Sequence, residues 1–142
     1  MGKIADLRKR SNAFVSNLPI HLATSIEQVE QKLVDLNREQ MLKSRLSTGA
    51  AIRPKYSPAY AIKKGFTKPN LFVTGEFQSE MFLSFNENNL TYFIASFDFK
   101  TPFLRKFYGD NIFGIETDNR PKAYAITTPA IAIIYKQKVF RG

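Results

Sequence analysis

Residues 82–97 read FLSFNENNLTYFIASF, and this stretch decides the fold class. It contains two runs rich in aromatic and β-branched side chains, 82–85 and 90–97, which are typical of β-strands. The four residues between them are Asn, Glu, Asn and Asn, which favour a turn. The sequence therefore predicts an antiparallel β-hairpin here.

A long helix is predicted on the N-terminal side of this hairpin. Over residues 25–45 the apolar side chains recur at helical spacing, which predicts one buried stripe, and Thr24 or Ser25 can cap the start. Residues 3–16 favour a shorter helix or a mobile arm, and Pro19 ends it or begins the next helix.

Further elements surround the hairpin closely. Residues 71–73 favour another strand, followed by a short helix at 76–81. A short helix at 103–108 follows Pro102 in its first turn, and Gly109 ends it. Residues 118–140 predict a final helix kinked at Pro129, whose inner face comprises Ala123, Ile126, Ala130, Ile134 and Lys138.

Together these elements predict an α+β fold, in which a long N-terminal helix and a C-terminal helix pack on a small antiparallel β-sheet, with a long central loop. The 142 residues suit one domain. We expect an N-terminal arm or short helix over residues 1–18 and a single α+β domain over 19–142. Within it, residues 47–70 form the long basic loop, with a helical turn at 59–64.

The loop at 47–70 combines basic and aromatic side chains, which suits contact with a partner. Connections of this length are uncommon in compact domains and are usually functional or disordered. Alternating rings and cations suit stacking on bases with phosphate contacts, and they suit a protein interface equally well. The candidate interface residues are Arg53, Lys55, Tyr56, Tyr60, Lys63, Lys64, Phe66 and Lys68.

The formal net charge of +9 is distributed unevenly. Residues 38–68 carry +7, whereas residues 69–99 carry −4. Such blocks favour contact with nucleic acid, with an acidic protein or with a neighbouring copy of the chain. A solvated loop that keeps the protein soluble is the alternative.

The composition excludes or disfavours several kinds of chemistry. The absence of Cys excludes disulfides, thiolate metal sites and a cysteine nucleophile, and the single His21 suits packing or solvent exposure better than catalysis. No glycine-rich nucleotide-binding motif occurs, and no apolar stretch reaches the roughly 20 residues that span a bilayer. We expect an intracellular soluble protein without cofactor, metal or membrane contact.

One carboxylate pattern resembles a Mg²⁺ site of nucleases. Asp98-Phe99-Lys100 ends a predicted strand, and Glu80 or Glu87 lies on the partner strand. Such a tripeptide often arises by chance, and we expect these carboxylates to face solvent or an interface. A Mg²⁺-dependent nuclease is therefore the least favoured function.

Three motifs carry a family resemblance through their order along the chain. They are the stretch LFVTGEF at 71–77, Phe107-Tyr108-Gly109 ahead of the last helix, and Arg120-Pro121 at its start. This order resembles that of the tail-completion and head–tail joining proteins of tailed bacteriophages, the virion morphogenesis group. The structural motif residues are Thr74, Gly75, Tyr108, Gly109, Arg120 and Pro121.

A narrower similarity is to small virion proteins of phages of gut Bacteroidales, including crAss-like phages. It rests on NREQM at 37–41, YSPAY at 56–60 and YGDNIFG at 108–114.

The resemblance implies a structural virion protein without catalytic activity. Such a protein is a subunit of a neck ring of six or twelve copies that joins portal to tail. Its partners would be itself, the portal and other neck or tail proteins, with non-specific contact to packaged DNA as a further option. It would be made in the host cytoplasm and reside in the virion. A sequence-neutral DNA-binding protein that uses residues 38–68 is the alternative.

Overall fold

The computed structural model describes residues 2–55, 57–65, 69, 71 and 75–141. The α+β class predicted from the sequence is confirmed. Two short 3-10 turns and a π-helical segment, Lys136–Phe140, complete the described elements. The helices are α1 (Gly2–Ser16), α2 (Leu18–Gln28), α3 (Glu30–Leu42), α4 (Pro58–Lys64), α5 (Glu76–Ser79), α6 (Thr101–Tyr108) and α7 (Arg120–Tyr135), and the strands are β1 (Met81–Asn86) and β2 (Thr91–Ser96).

The predicted hairpin is present, and α3 closes its outer edge. β1 and β2 pair antiparallel, with Met81 opposite Ser96. The Leu83 N–H of β1 donates to Glu30 Oε1 at 2.9 Å, and Arg38 NH2 donates to the Met81 carbonyl at 3.4 Å. Because α3 side chains occupy the unpaired backbone groups of β1, another strand cannot pair along this edge without displacing them.

The long helix predicted over residues 25–45 has the wrong bounds. The chain is already helical through α2, because Pro19 in the first turn presets φ for a helix. Val29, at φ −112° and ψ 12°, separates α2 from α3. Ser25 does not cap a helix start, because it is buried inside α2 and its Oγ donates to the Leu22 carbonyl.

α3 ends before residue 45 in a Schellman motif. Ser44 adopts a left-handed φ of 58°, which stops the helix. Its N–H donates to the Met41 carbonyl at 2.8 Å, and the Arg45 N–H donates to the Gln40 carbonyl at 3.0 Å. This motif satisfies two carbonyls at the helix end and turns the chain towards the central loop.

The core is divided among three clusters. The first lies between α3, α5 and the hairpin, with Val34, Phe77 and Ile94 among its buried members. The second joins α2 and α3 to α7 through Leu33 and Ala123, with half-buried residues of β1 packed against it. The two long helical regions predicted from the sequence, α2–α3 and α7, therefore share a core cluster with β1, as expected.

The third cluster packs against α1, which is the helix expected over residues 3–16. Phe14 packs with Ile134 and Val139, so α1 lies against α7 and the π-helical segment. The His21 ring stacks on Phe14 with centroids 4.7 Å apart. This histidine is packed against an aromatic ring, as its sequence context favoured.

The last helix differs from the sequence prediction at its end. α7 stops at Tyr135 and the chain then forms a π-helical turn, in which the Arg141 N–H donates to the Lys136 carbonyl. A π-turn adds one residue to the helical repeat. For this reason Val139, at 1% exposure, occupies the inner position that the sequence assigned to Lys138, which is exposed.

Two buried amide side chains on α3 hold residues 112–116 in place. Asn37 Nδ2 donates to the Ile112 carbonyl at 3.0 Å, and Asn37 Oδ1 accepts from the Gly114 N–H at 2.9 Å. Gln40 Nε2 donates to the Gly114 carbonyl at 3.0 Å, and Gln40 Oε1 accepts from the Glu116 N–H at 2.8 Å. This amide pair, Asn37 and Gln40, supplies alternating donors and acceptors, as a neighbouring strand would.

None of the described helices is long and apolar enough to cross a membrane.

Candidate interaction surface

Four of the residues selected from the sequence line one groove of about 380 Å³. They come from two separate predictions: Lys55 and Tyr60 from the basic loop, and Gly75 and Tyr108 from the resemblance motifs. The structure therefore joins segments that are far apart in the sequence. The other lining residues are Pro54, Ser57, Leu71, Phe77, Lys100, Leu104 and Phe107.

α4 contributes one side of this groove. Ser57 caps the helix, because its Oγ accepts from the Tyr60 N–H at 3.3 Å, and Pro58 presets the first turn. Ala61 packs inward, whereas Tyr60 is 39% exposed. The predicted helical turn at 59–64 is thus confirmed, and it presents an aromatic ring at the groove.

α6 contributes a second side, and both of its ends are defined by the sequence. Pro102 stands in its first turn, and Gly109 at φ 91° follows its last residue. That φ strongly favours glycine. Leu104 and Tyr108, one turn apart on α6, are half-buried and line the groove.

Gly75 forms the entrance to α5. Its φ of 86° is left-handed, a conformation that costs other residues roughly 1–2 kcal/mol. It leads directly into the helix that buries Phe77 on the groove side. Its neighbour Thr74 lies outside the described residues.

An aromatic surface adjoins the groove at α6 and the connection before it. Four phenylalanines are strongly exposed: Phe97 at 75%, Phe99 at 75%, Phe103 at 71% and Phe107 at 64%. Phe103 and Phe107 are one helical turn apart, and Phe107 also lines the groove. We call these four residues the aromatic surface. Phe103 and Phe107 line one shallow pocket on α6, and exposed apolar patches of this kind mark interaction sites in soluble proteins.

The phenylalanines exposed at α6 and before it are not among the interface residues predicted from the sequence. The predicted interface rings were Tyr56, Tyr60 and Phe66, of which Tyr60 is 39% exposed and the other two lie outside the described residues. The available signal was the spacing of Phe103 and Phe107 on a helix whose other face carries Leu104 and Tyr108. The exposed Phe103 and Phe107 therefore lie on a different face of α6 from the half-buried Leu104 and Tyr108.

Two lysines form the charged part of the groove lining. They are Lys55 and Lys100, and Lys100 Nζ also lies 5.6 Å from the centroid of the Phe99 ring. This distance permits a cation–π contact, which holds the ammonium beside the aromatic surface. The groove lining contains no acidic residue among those described, so its electrostatic character is basic.

The carboxylate expected to face solvent, Asp98, is buried. It is 5% exposed, and its Oδ1 accepts from the Lys100 N–H at 2.8 Å. The side chain therefore stabilises the turn that leads into α6. Glu80 and Glu87 are exposed, as predicted. In the described part of the chain no three His, Asp or Glu side chains come together as metal ligands.

The remaining predicted site residues lie apart from the groove or are not described. Arg53 and Lys63 are exposed and Lys64 is half-buried, but none of the three lines the groove. Tyr56, Phe66 and Lys68 fall outside the described residues. Of the eight predicted interface residues, Lys55 and Tyr60 line the groove, and their role in an interface stays a prediction.

Arg120 and Pro121 begin α7 at a different cavity. Arg120 lines a space of about 280 Å³ with Tyr92 and Tyr124. Burial and the nearby Tyr124 raise the pKa of Tyr92 above 10.0, and Arg120 partly opposes this shift. The structure therefore separates this motif from Gly75 and Tyr108.

Comparison of the chain with protein-family models, with curated proteins and with solved structures found no match.

Proposed function

We propose that the chain is a structural virion protein, a subunit of a neck or head–tail connector ring that joins portal to tail in a tailed bacteriophage. The observation that carries the proposal is the aromatic surface, whose four exposed phenylalanines favour burial against a protein. The ordered motifs that resemble tail-completion proteins suggest which kind of assembly this is. The proposed role involves no catalysis or cofactor.

The proposed partners are other copies of the chain, the portal and neighbouring neck or tail proteins. A ring needs two different surfaces on each subunit, so that every copy contacts the next head to tail. We assign the aromatic surface and the adjoining groove to one side of this contact. Six or twelve copies are expected from the resemblance, and the protein would reside in the virion.

The proposed electrostatic contact is smaller than the sequence suggested. Residues 69–99 carry four acidic side chains, but the buried Asp98 cannot meet a neighbour's lysines. Glu76, Glu80 and Glu87 are exposed and can face the basic groove of the next copy. Apolar burial is therefore expected to dominate the contact, with these charges at its rim.

The proposal is tested by native mass spectrometry and electron microscopy of the purified protein. We expect closed rings for the unmodified chain. Phe103→Ser removes an exposed ring whose burial is worth about 1.5–3 kcal/mol, so it should weaken each contact roughly 10- to 150-fold. The melting temperature of the subunit should barely change, because Phe103 is exposed within the subunit.

The matched control is Val15→Ser, which removes a side chain of similar exposure, 65%, from α1. Rings of the control variant should persist. A protein that remains monomeric at every concentration, or rings that form equally well in Phe103→Ser, would contradict the proposal.

A further inference from the structure

A basic surface forms where α1 packs on the π-helical segment. Lys3 and Arg10 share the face of α1 that carries Leu7 and Phe14, because these positions are separated by three or four residues. That face packs on Val139 in the third core cluster. We define the basic surface as Lys3, Arg10, Lys136, Lys138 and Arg141.

A hydrogen bond attaches the two parts of this surface to each other. Arg10 Nε donates to the Val139 carbonyl at 2.7 Å, although the two residues are 129 positions apart in the sequence. The π-turn that buries Val139 leaves its neighbours Lys136, Lys138 and Arg141 exposed. The fold thus brings basic residues of α1 together with basic residues from the other end of the chain.

Little negative charge accompanies these cations. Asp6 is the one acidic residue between positions 1 and 16, and residues 120–142 contain none. The ion pairs found in the described part of the chain join Arg38 to Asp35, Arg45 to Glu116 and Arg105 to Asp110, and use none of the five. The basic surface therefore keeps a charge that a polyanion can neutralise.

The composition of the basic surface favours nucleic acid over protein. Protein interfaces are depleted in Lys and enriched in aromatic residues, which describes the aromatic surface. Interfaces with DNA are strongly positive and polar, and backbone contacts are made largely by Lys and Arg. The two surfaces thus have different chemistry, and they are carried by different helices.

We propose that the basic surface binds the phosphate backbone of duplex DNA without reading its sequence. This inference does not rest on the neck-ring proposal, and it places the DNA contact away from residues 38–68. If five phosphates are neutralised, the logarithm of the binding constant falls with the logarithm of the salt concentration with a slope of about −4.5. Affinity should then fall about 500-fold between 50 and 200 mM salt.

The test uses fluorescence anisotropy with a random-sequence DNA duplex and the full chain. The site variant combines Lys3→Gln, Lys138→Gln and Arg141→Gln, three exposed positions. Removing three phosphate contacts should reduce the slope to about −1.8, so the same change in salt lowers affinity only about 12-fold. Far-UV circular dichroism checks that the variant remains folded.

The charge-matched control combines Lys43→Gln, Arg53→Gln and Lys63→Gln, three exposed positions within residues 38–68 that do not line the groove. We expect its slope to equal that of the unmodified protein. A reduced slope in the control and an unchanged slope in the site variant would move the contact to residues 38–68 and overturn the proposal. Binding to phosphatidylserine vesicles without binding to the duplex would also overturn it.

Assembly is measured on the same samples by native mass spectrometry, so that the two proposals fail separately. Salt-dependent DNA binding by a protein that forms no ring contradicts the neck proposal and supports this inference. Rings that fail to bind the duplex at 50 mM salt contradict this inference alone.

Discussion

Asn37→Ala tests whether the amide pair holds residues 112–116 against α3. Asn37 is 0% exposed and bonds two backbone groups, the Ile112 carbonyl and the Gly114 N–H. The substitution removes the partner of both groups, of which the Ile112 carbonyl is buried and the Gly114 N–H is partly buried. A buried polar group left without a partner costs about 1–3 kcal/mol.

A buried carbonyl and a partly buried N–H imply a loss of roughly 1.5–4.5 kcal/mol in the free energy of unfolding. The better helix propensity of Ala returns at most about 0.7 kcal/mol in α3. We therefore expect a net destabilisation of about 1–4 kcal/mol, a sizeable fraction of the roughly 5–15 kcal/mol typical of native proteins.

Urea denaturation followed by far-UV circular dichroism measures this loss. Asn12→Ala on α1 is the matched control, because Asn12 is exposed and its replacement should change stability by less than about 0.5 kcal/mol. The double variant with Gln40→Ala should cost less than the sum of the single variants, because both amides hold the same segment.

Two results would refute this reasoning. One is an Asn37→Ala variant as stable as Asn12→Ala, which would mean that the backbone groups find other partners. The other is strict additivity of Asn37→Ala and Gln40→Ala, which would mean that the two side chains act independently.

The remaining predictions concern the groove and its surroundings. Asp98→Ala should lower stability by about 1–2 kcal/mol, because it leaves the partly buried Lys100 N–H without its acceptor. DNA with Mg²⁺ should stay uncleaved before and after this substitution, and cleavage lost in the variant would favour a nuclease. Gly75→Ala should cost about 1–2 kcal/mol in thermal melts at its φ of 86°, whereas Gly2→Ala, with open space around it, should cost nothing measurable. The folded state raises the pKa of Tyr92, so folding favours the neutral phenol over the phenolate. The resulting contribution to stability is present below pH 10.0 and is lost as pH rises through the folded pKa. Tyr92→Phe should therefore flatten the alkaline limb of stability against pH, and an unchanged limb would contradict the assignment.

Local sequence signals predicted the elements whose causes are local. The hairpin at 82–97 has its strand residues and its Asn-rich turn within one short stretch, and α6 has Pro102 in its first turn and Gly109 directly after its last residue. The bounds of α3 were less accessible. Ser44 ends that helix in a left-handed conformation without being glycine, so its sequence carries no clear stop signal.

The candidate site depended more on tertiary structure. Residue type alone does not distinguish the exposed Phe103 from the buried Phe77, and the spacing of Phe103 and Phe107 along α6 is the signal that the sequence does carry. The burial of Asp98 similarly results from packing of the turn after β2. The meeting of Tyr60 with Tyr108 in one groove requires contacts between segments that sequence patterns treat independently.

The amide pair and the basic surface differ in how strongly salt and pH affect them. Asn37 and Gln40 carry no charge and do not titrate, so their four hydrogen bonds to residues 112–116 persist across a wide range of pH and ionic strength. The basic surface, in contrast, acts through exposed charges that counterions screen. Concentrated salt should therefore strip bound polyanions from the surface while the subunit keeps its internal architecture, which makes the binding reversible without any cycle of unfolding.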